Sequence, residues 1–138
     1  MRTWVFSSDL ILPSSSSVTL YNCSAFSVTS CTSCLAVNID TGYDCGWCNG
    51  TSRCVEPETC TSLLTFVNQS HQCPSPVLSS VSPSSGPFGG GTRLTINGTN
   101  LGVTVVDIVN VTVGGVICVI QPEGFRPGEQ FVCVTGNY

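Results

Sequence analysis

The sequence predicts a small, disulfide-rich, knot-like module followed by an all-β module with antiparallel strands. Eight of the ten cysteines fall between residues 23 and 73. An even number of closely spaced cysteines indicates a disulfide framework, which a segment too small for a large core needs. Beyond residue 76 cysteines become sparse, and apolar residues alternate with polar ones, as in half-buried strands. The 138 residues have room for two such modules.

The charge balance excludes several classes of partner. The chain has four arginines, no lysine and eight acidic residues, for a net charge of −4, while serine and threonine together number 34. Such a surface offers no electrostatic footprint for nucleic acid or for an anionic membrane. No run of 18 apolar residues is present, so we expect no membrane insertion by this segment.

Glycosylation motifs are frequent in this chain. Five of its eight asparagines begin an Asn-x-Ser/Thr sequon. Together with the cysteines, they indicate a protein of the secretory pathway that carries N-glycans. The apolar stretch at the N-terminus is broken by Asp9 before a signal sequence forms, so we expect an internal fragment of a longer, extracellular protein. The predicted glycosylation sites are Asn22, Asn49, Asn68, Asn97 and Asn110.

The N-terminal half is expected to contain little regular structure. Residues 1–20 are predicted to be an upstream linker or the tail of a preceding domain. In the cysteine-rich module, residues 21–74, we predict a short helix near Cys31–Ala36 and small strands around Gly46 and Arg53. Pro74-Ser75-Pro76 then forms a short, stiff junction.

The C-terminal half contains several short alternating segments. Leu94 and Ile96 share one face of a predicted strand, and the residues from Val109 to Val113 alternate in the same way. Cys118 and Cys133 share a face with apolar neighbours, and we predict a disulfide between them. Short strands separated by Gly, Pro and Asn turns favour an antiparallel β-sandwich.

The first module resembles a PSI domain, the cysteine-rich module of plexins, semaphorins and integrins. The motifs that carry the resemblance are Cys31-Thr-Ser-Cys34, Cys45-Gly-Trp-Cys48 and Arg53-Cys54. Eight cysteines allow 105 pairings, and their spacing does not choose among them. The resemblance implies the pairs Cys23–Cys45, Cys31–Cys73, Cys34–Cys54 and Cys48–Cys60.

The second module resembles an IPT/TIG domain, which has an immunoglobulin-like fold. Its motifs are Ser85-Gly86-Pro87, Gly90-Gly91-Thr92 and Asn100-Leu101-Gly102. A complete immunoglobulin-like sandwich takes about 100 residues, whereas residues 76–138 supply fewer. We therefore predict a sandwich that is incomplete at its C-terminus and leaves the strand Phe131–Val134 as an unpaired edge.

Several motifs with catalytic precedents are better explained by structure. Cys45-Gly-Trp-Cys48 has the spacing of a redox motif but lacks the βαβ scaffold of such enzymes, so we interpret its cysteines as structural and Trp47 as a packing anchor. The glycines of residues 86–92 are not followed by Lys-Ser/Thr and a helix, and they indicate positive-φ turns rather than a phosphate loop. His71, the single histidine, has no partner at catalytic or metal-ligand spacing. We expect no enzyme activity, no metal and no cofactor.

A PSI domain followed directly by an IPT/TIG domain resembles plexins most closely. The resemblance implies a cell-surface semaphorin receptor that signals in axon guidance, with this segment on the extracellular side of the plasma membrane, or secreted if expressed alone. In such a receptor this segment would be a rigid spacer that contacts neighbouring stalk domains, while other domains bind the semaphorin. The alternative is a ligand-contacting PSI–IPT segment of a hepatocyte growth factor receptor-like tyrosine kinase.

Overall fold

The computed structural model describes residues 19–61 and 65–138. Most of the predicted upstream tail, residues 1–18, lies outside the described residues. The described chain forms an N-terminal module around one helix and a small sheet, and a C-terminal module around a larger sheet.

The helix α1 spans Cys31–Thr41 and is longer than the sequence predicts. Ser30 is its N-cap in an extended conformation, and its hydroxyl accepts a hydrogen bond from the Ser33 N–H. The helix ends at Gly42, whose φ of 73° is left-handed and whose N–H donates to the Asn38 carbonyl. The prediction ended at Ala36, but the helix continues through residues 37–41, where apolar and polar residues alternate as in a strand, and Gly42 sets its end.

A three-stranded antiparallel sheet packs beside α1. Its strands are β1 (Gly46–Cys48), β2 (Arg53–Val55) and β3 (Phe66–Val67), with β1 in the centre. The Asn38 side chain ties the helix to this sheet, because it donates to the Cys45 carbonyl and accepts from the Cys45 N–H, each at 2.8 Å. Trp47 is buried among half-cystines, as expected of a packing anchor.

The C-terminal module is an antiparallel sheet of five strands. In chain order they are β4 (Val77–Ser82), β5 (Arg93–Thr99), β6 (Thr112–Val113), β7 (Val116–Arg126) and β8 (Gln130–Thr135), and they lie in the order β4-β5-β8-β7-β6. One face of the sheet carries the core, which the connection 100–111 covers in part. The buried core residues are Leu94, Ile96, Leu101, Cys118, Phe131 and Cys133.

The structure corrects the predicted edge of this sheet. Phe131–Val134 lies in β8, which pairs with β5 on one side and with β7 on the other. Phe131, Val132 and Cys133 are all buried, so both faces of β8 are covered at these residues. The outer strands are β4 and β6. Of the predicted alternating segment 109–113, only Thr112–Val113 is a strand.

The core face of the sheet is open at one end. A groove of about 420 Å³ lies there between the loop that follows β4 and the hairpin of β6 and β7. Its lining includes Val81, Phe88, Leu94, Val113, Val116 and Tyr138.

Candidate functional site

The first turn of α1 is where the two modules meet, and it is made of small polar residues. The first N–H groups of a helix have no partner within the helix and need acceptors from elsewhere. The Ser30 hydroxyl accepts from the Ser33 N–H at 3.3 Å, and the two hydroxyls are 2.8 Å apart. Ser30, Thr32 and Ser33 are all buried. The first turn of α1 is therefore both polar and buried.

The C-terminal module supplies two acceptors to this turn. The Asn100 side-chain oxygen accepts from the Thr32 N–H at 3.4 Å, and the Pro127 carbonyl accepts from the Ser33 hydroxyl at 2.9 Å. Asn100 has a φ of 55°, a left-handed conformation that asparagine tolerates better than most residues. The two bonds approach neighbouring residues of α1 from two different loops, so they fix orientation as well as distance.

Gly128 allows this close approach. A Cβ at this position would contact the Ser33 hydroxyl and would lie 2.7 Å from the Ser33 backbone nitrogen. Its φ of 75° also favours glycine. The Gly128 N–H donates to the Gly102 carbonyl at 2.8 Å, and the Leu101 N–H donates to the Gly128 carbonyl. The two loops that receive α1 are thus bonded to each other.

A disulfide reaches the same turn from the linker side. Cys31, between Ser30 and Thr32, is bonded to Cys73, and the linker of residues 74–76 leads from Cys73 directly into β4. The start of α1 is therefore connected to the C-terminal module covalently through the linker and non-covalently through the two loops. We call residues 30–33 together with Asn100, Pro127 and Gly128 the junction.

The junction contains a buried polar group without a hydrogen-bond partner. Within the described residues, the hydroxyl of Thr32 is the buried side-chain oxygen that lacks a hydrogen-bond partner. No charged side chain takes part in the hydrogen bonds between α1 and the loops. Screening by salt acts on charges, so ionic strength should have little effect on this contact.

All ten cysteines are in disulfides. The N-terminal module holds four of them, which join the first of its cysteines to the fourth, the second to the eighth, the third to the sixth and the fifth to the seventh. The fifth disulfide joins β7 to β8 within the C-terminal core. The pairs are Cys23–Cys45, Cys31–Cys73, Cys34–Cys54, Cys48–Cys60 and Cys118–Cys133.

The two cysteines of the CxxC motif belong to different disulfides. Cys45 is bonded to Cys23, and Cys48 is bonded to Cys60. A redox motif cycles through a bond between its own two sulfurs, which this arrangement does not form. Across residues 19–61 and 65–138, no group of three or more His, Cys, Asp or Glu side chains is placed to hold a metal ion.

The sequon asparagines differ in accessibility. Asn22, Asn49, Asn68 and Asn110 are exposed, whereas Asn97 is half-buried in β5. The Asn97 side-chain nitrogen, to which a glycan would be attached, donates to the Ser80 hydroxyl on β4 at 3.2 Å.

The contacts of the junction were not predicted from the sequence. Asn100-Leu101-Gly102 and Cys31-Thr-Ser-Cys34 each stand out as family motifs, yet 68 residues separate Thr32 from Asn100. The polar first turn was the available signal, because Ser30 is a good N-cap and helix N-terminal N–H groups need acceptors. Nothing in the local sequence identifies Pro127 and Gly128 as the partners. The sequence also did not reveal the structural role of Glu56. Its carboxylate accepts a hydrogen bond from the Cys23 N–H at 2.8 Å.

Comparison with known proteins identifies two domain families. Residues 22–74 match the plexin repeat (PSI) family, and residues 76–138 match the IPT/TIG domain family. The chain is 41% identical to Plexin-B2 of Mus musculus over 116 residues, and that match covers 84% of this chain and 6% of the relative. It is 40% identical to Plexin-B1 of Homo sapiens, covering 86% of this chain and 5% of the relative. With Plexin-A4 of Homo sapiens the identity is 36%, covering 91% of this chain and 7% of the relative.

A solved structure shows the same architecture. The full extracellular region of plexin A4 superposes with a TM-score of 0.66 at 34% sequence identity, covering 80% of this chain and 11% of that one. The chain therefore spans a small part of the proteins it matches. In the described part of the chain, no helix combines the length and the apolar character needed to span a bilayer.

Proposed function

The chain belongs to the plexin family, and on that basis we propose that it is an extracellular stalk segment of a semaphorin receptor and acts as a rigid, disulfide-bonded spacer. It corresponds to between 5 and 7% of the plexins named above, so semaphorin binding and signalling belong to other parts of the receptor. We place the PSI domain at residues 21–74 and the IPT/TIG domain at 76–138, with residues 1–20 leading in from a preceding domain.

The junction is the observation that supports a rigid spacer. A flexible connection between domains needs a linker free to rotate, as in segments rich in glycine and serine. Here the linker contains two prolines and follows Cys73, which is bonded to Cys31, the first residue of α1. The next two residues of α1 contact Asn100 and Pro127. Rotation about the linker would break both hydrogen bonds, each of which contributes about 0.5–1.5 kcal/mol to stability.

The proposed location follows from the same features. Disulfides persist outside the cytosol, and all ten cysteines of this chain form them. We place the segment on the outer side of the plasma membrane, attached through other regions of the receptor and in contact with neighbouring stalk domains. The proposal gives the segment no catalytic role.

Nuclear magnetic resonance tests the rigidity directly. In a weakly aligning medium, backbone residual dipolar couplings from residues 22–73 and from residues 77–135 should fit a single alignment tensor. The same two groups should also give one rotational correlation time, since a chain of 14.5 kDa with a fixed junction tumbles as one body.

Two serine variants test whether the junction is what holds the two modules in one orientation. Ser33→Ala removes the hydroxyl that donates to Pro127, and we expect the two alignment tensors to separate. Ser79→Ala, at an exposed position of β4, should leave them identical. Two distinct tensors in the unsubstituted protein would refute the spacer proposal.

The growth-factor-receptor alternative gains no support. The relatives and the solved structure named above are plexins.

A further inference from the structure

The segment 108–121 combines features that promote aggregation. Its 14 residues include eight valines and isoleucines but no charged residue and no proline. Segments of high β-propensity without charge or proline pair readily with other chains. The segment contains β6, which is an outer strand of the sheet. It therefore combines an open edge with exposed apolar side chains, among them Val109, Ile117 and Val119.

The other outer strand is protected in familiar ways. Pro76 precedes β4 and Pro83 follows it, and the pairing of β4 with β5 shifts register between Leu78 and Ser80. Prolines and bulges are devices by which proteins prevent edge-to-edge pairing. β6 is short, but the segment that contains it has neither proline nor charge.

The face beside β6 also exposes apolar side chains. Ile117 and Val119 on β7 are 63% and 59% exposed. Thr112 lies opposite Ile117, and the Cys118 N–H donates to the Val111 carbonyl, so the pairing continues toward Asn110. One further step in this register places Asn110 opposite Val119. Because side chains alternate along a strand, Asn110 shares the outer face with Thr112, Ile117 and Val119.

We propose that an N-glycan on Asn110 protects this edge, covering Ile117 and Val119 and preventing β6 from pairing with a second copy of the chain. Asn110 begins the sequon Asn-Val-Thr and is exposed. In the transfer, its side-chain nitrogen forms a bond to C1 of a lipid-linked oligosaccharide, the bond from C1 to the lipid pyrophosphate breaks, and the amide loses a proton. The bulky, polar sugar supplies the solubility that the segment itself lacks. The inference rests on the proposed extracellular location.

Two substitutions of Thr112 separate the effect of the sugar from the effect of changing the sequon threonine itself. The full chain, directed into the secretory pathway of eukaryotic cells by an added signal peptide, is prepared with Thr112→Ala, which destroys the sequon, and with Thr112→Ser, which keeps it. Glycopeptide mass spectrometry gives the occupancy of each site, and sedimentation velocity over a concentration series gives self-association.

We expect the unsubstituted protein and Thr112→Ser to be occupied at Asn110 and monomeric. Thr112→Ala and Asn110→Gln should self-associate at least about tenfold more tightly, because apolar surface is then free to be buried. Asn68→Gln, which removes an exposed sequon of the other module, should behave like the unsubstituted protein. If a variant is not secreted, the folded glycoprotein can be trimmed with an endoglycosidase that leaves one sugar, and the same increase in self-association is expected.

Two lysine substitutions identify the surface that associates. In the Thr112→Ala background, Val119→Lys should abolish self-association, whereas Phe88→Lys, at the groove on the opposite face, should not. The reverse result, or monomeric Thr112→Ala, would overturn the inference. An empty Asn110 beside occupied sites elsewhere would overturn the inference and leave the extracellular role intact. Absence of sugar at every sequon would count against both.

Discussion

At the scale of single residues, the Thr32 hydroxyl is buried at the junction without a partner. A buried polar group without a hydrogen bond costs about 1–3 kcal/mol, and replacement by an apolar group of the same shape can be stabilising. Thr32→Val should therefore raise the free energy of unfolding of the oxidised protein by about 1 kcal/mol in urea titrations. The matched Thr29→Val, at an exposed position, should change it by less than about 0.5 kcal/mol. A loss of stability in Thr32→Val would show that the hydroxyl is satisfied.

Gly128 is the residue on which the close contact between the modules depends. Gly128→Ala adds a Cβ that meets Ser33, at a φ of 75°. Gly115→Ala is the control, because its φ is 85° but nothing lies within 4 Å of the added atom. Both substitutions carry the cost of a left-handed alanine, so Gly128→Ala should be more destabilising by about 1–3 kcal/mol, the usual cost of overpacking. It should also shift the amide resonances of Ser30 and Ser33. Equal effects of the two alanines would show that the modules do not touch there.

At the scale of elements, the disulfides lie within modules and not between them. Cys118 joins β7 to Cys133 in β8, and the first eight cysteines pair among themselves. Peptide mapping of the secreted protein under non-reducing conditions should recover Cys118 linked to Cys133 and no peptide that links the two modules. A bond from Cys118 to any of the first eight cysteines would contradict the division into two modules.

At the scale of the whole molecule, the segment should not bind semaphorin by itself. The matched part is a small fraction of each plexin, and the semaphorin-binding surface is proposed above to lie in other parts of the receptor. Surface plasmon resonance against a panel of semaphorin ectodomains should detect no saturable binding tighter than about 1 μM. The glycosylated protein should be used, so that self-association is not mistaken for ligand binding. Saturable binding below that concentration would reveal a ligand site in the stalk.

The elements that local patterns determine were predictable, and those that depend on pairing were not. Trp47 between two cysteines indicated a packing anchor, and it is buried. Of the glycines in residues 86–92 that were expected in positive-φ turns, Gly90 and Gly91 have φ values of 75° and 80°, whereas Gly86 and Gly89 do not have a positive φ. The strand at Phe131 was also predicted, but its place in the sheet was wrong. Whether a strand is central or at an edge depends on which segments lie beside it, and alternation within the strand carries no such information.

The sequence by itself determined the disulfide-rich and all-β characters of the two modules, their family and their order. These properties reside in cysteine spacing, in alternation and in short motifs, each of which acts over a few residues. Only the tertiary structure decided that the first turn of α1 binds loops 68 and 94 residues further along the chain. It also decided that β6 rather than β8 is an outer strand. Both depend on which distant backbone groups are close enough to satisfy one another, and that proximity exists only once the chain has folded.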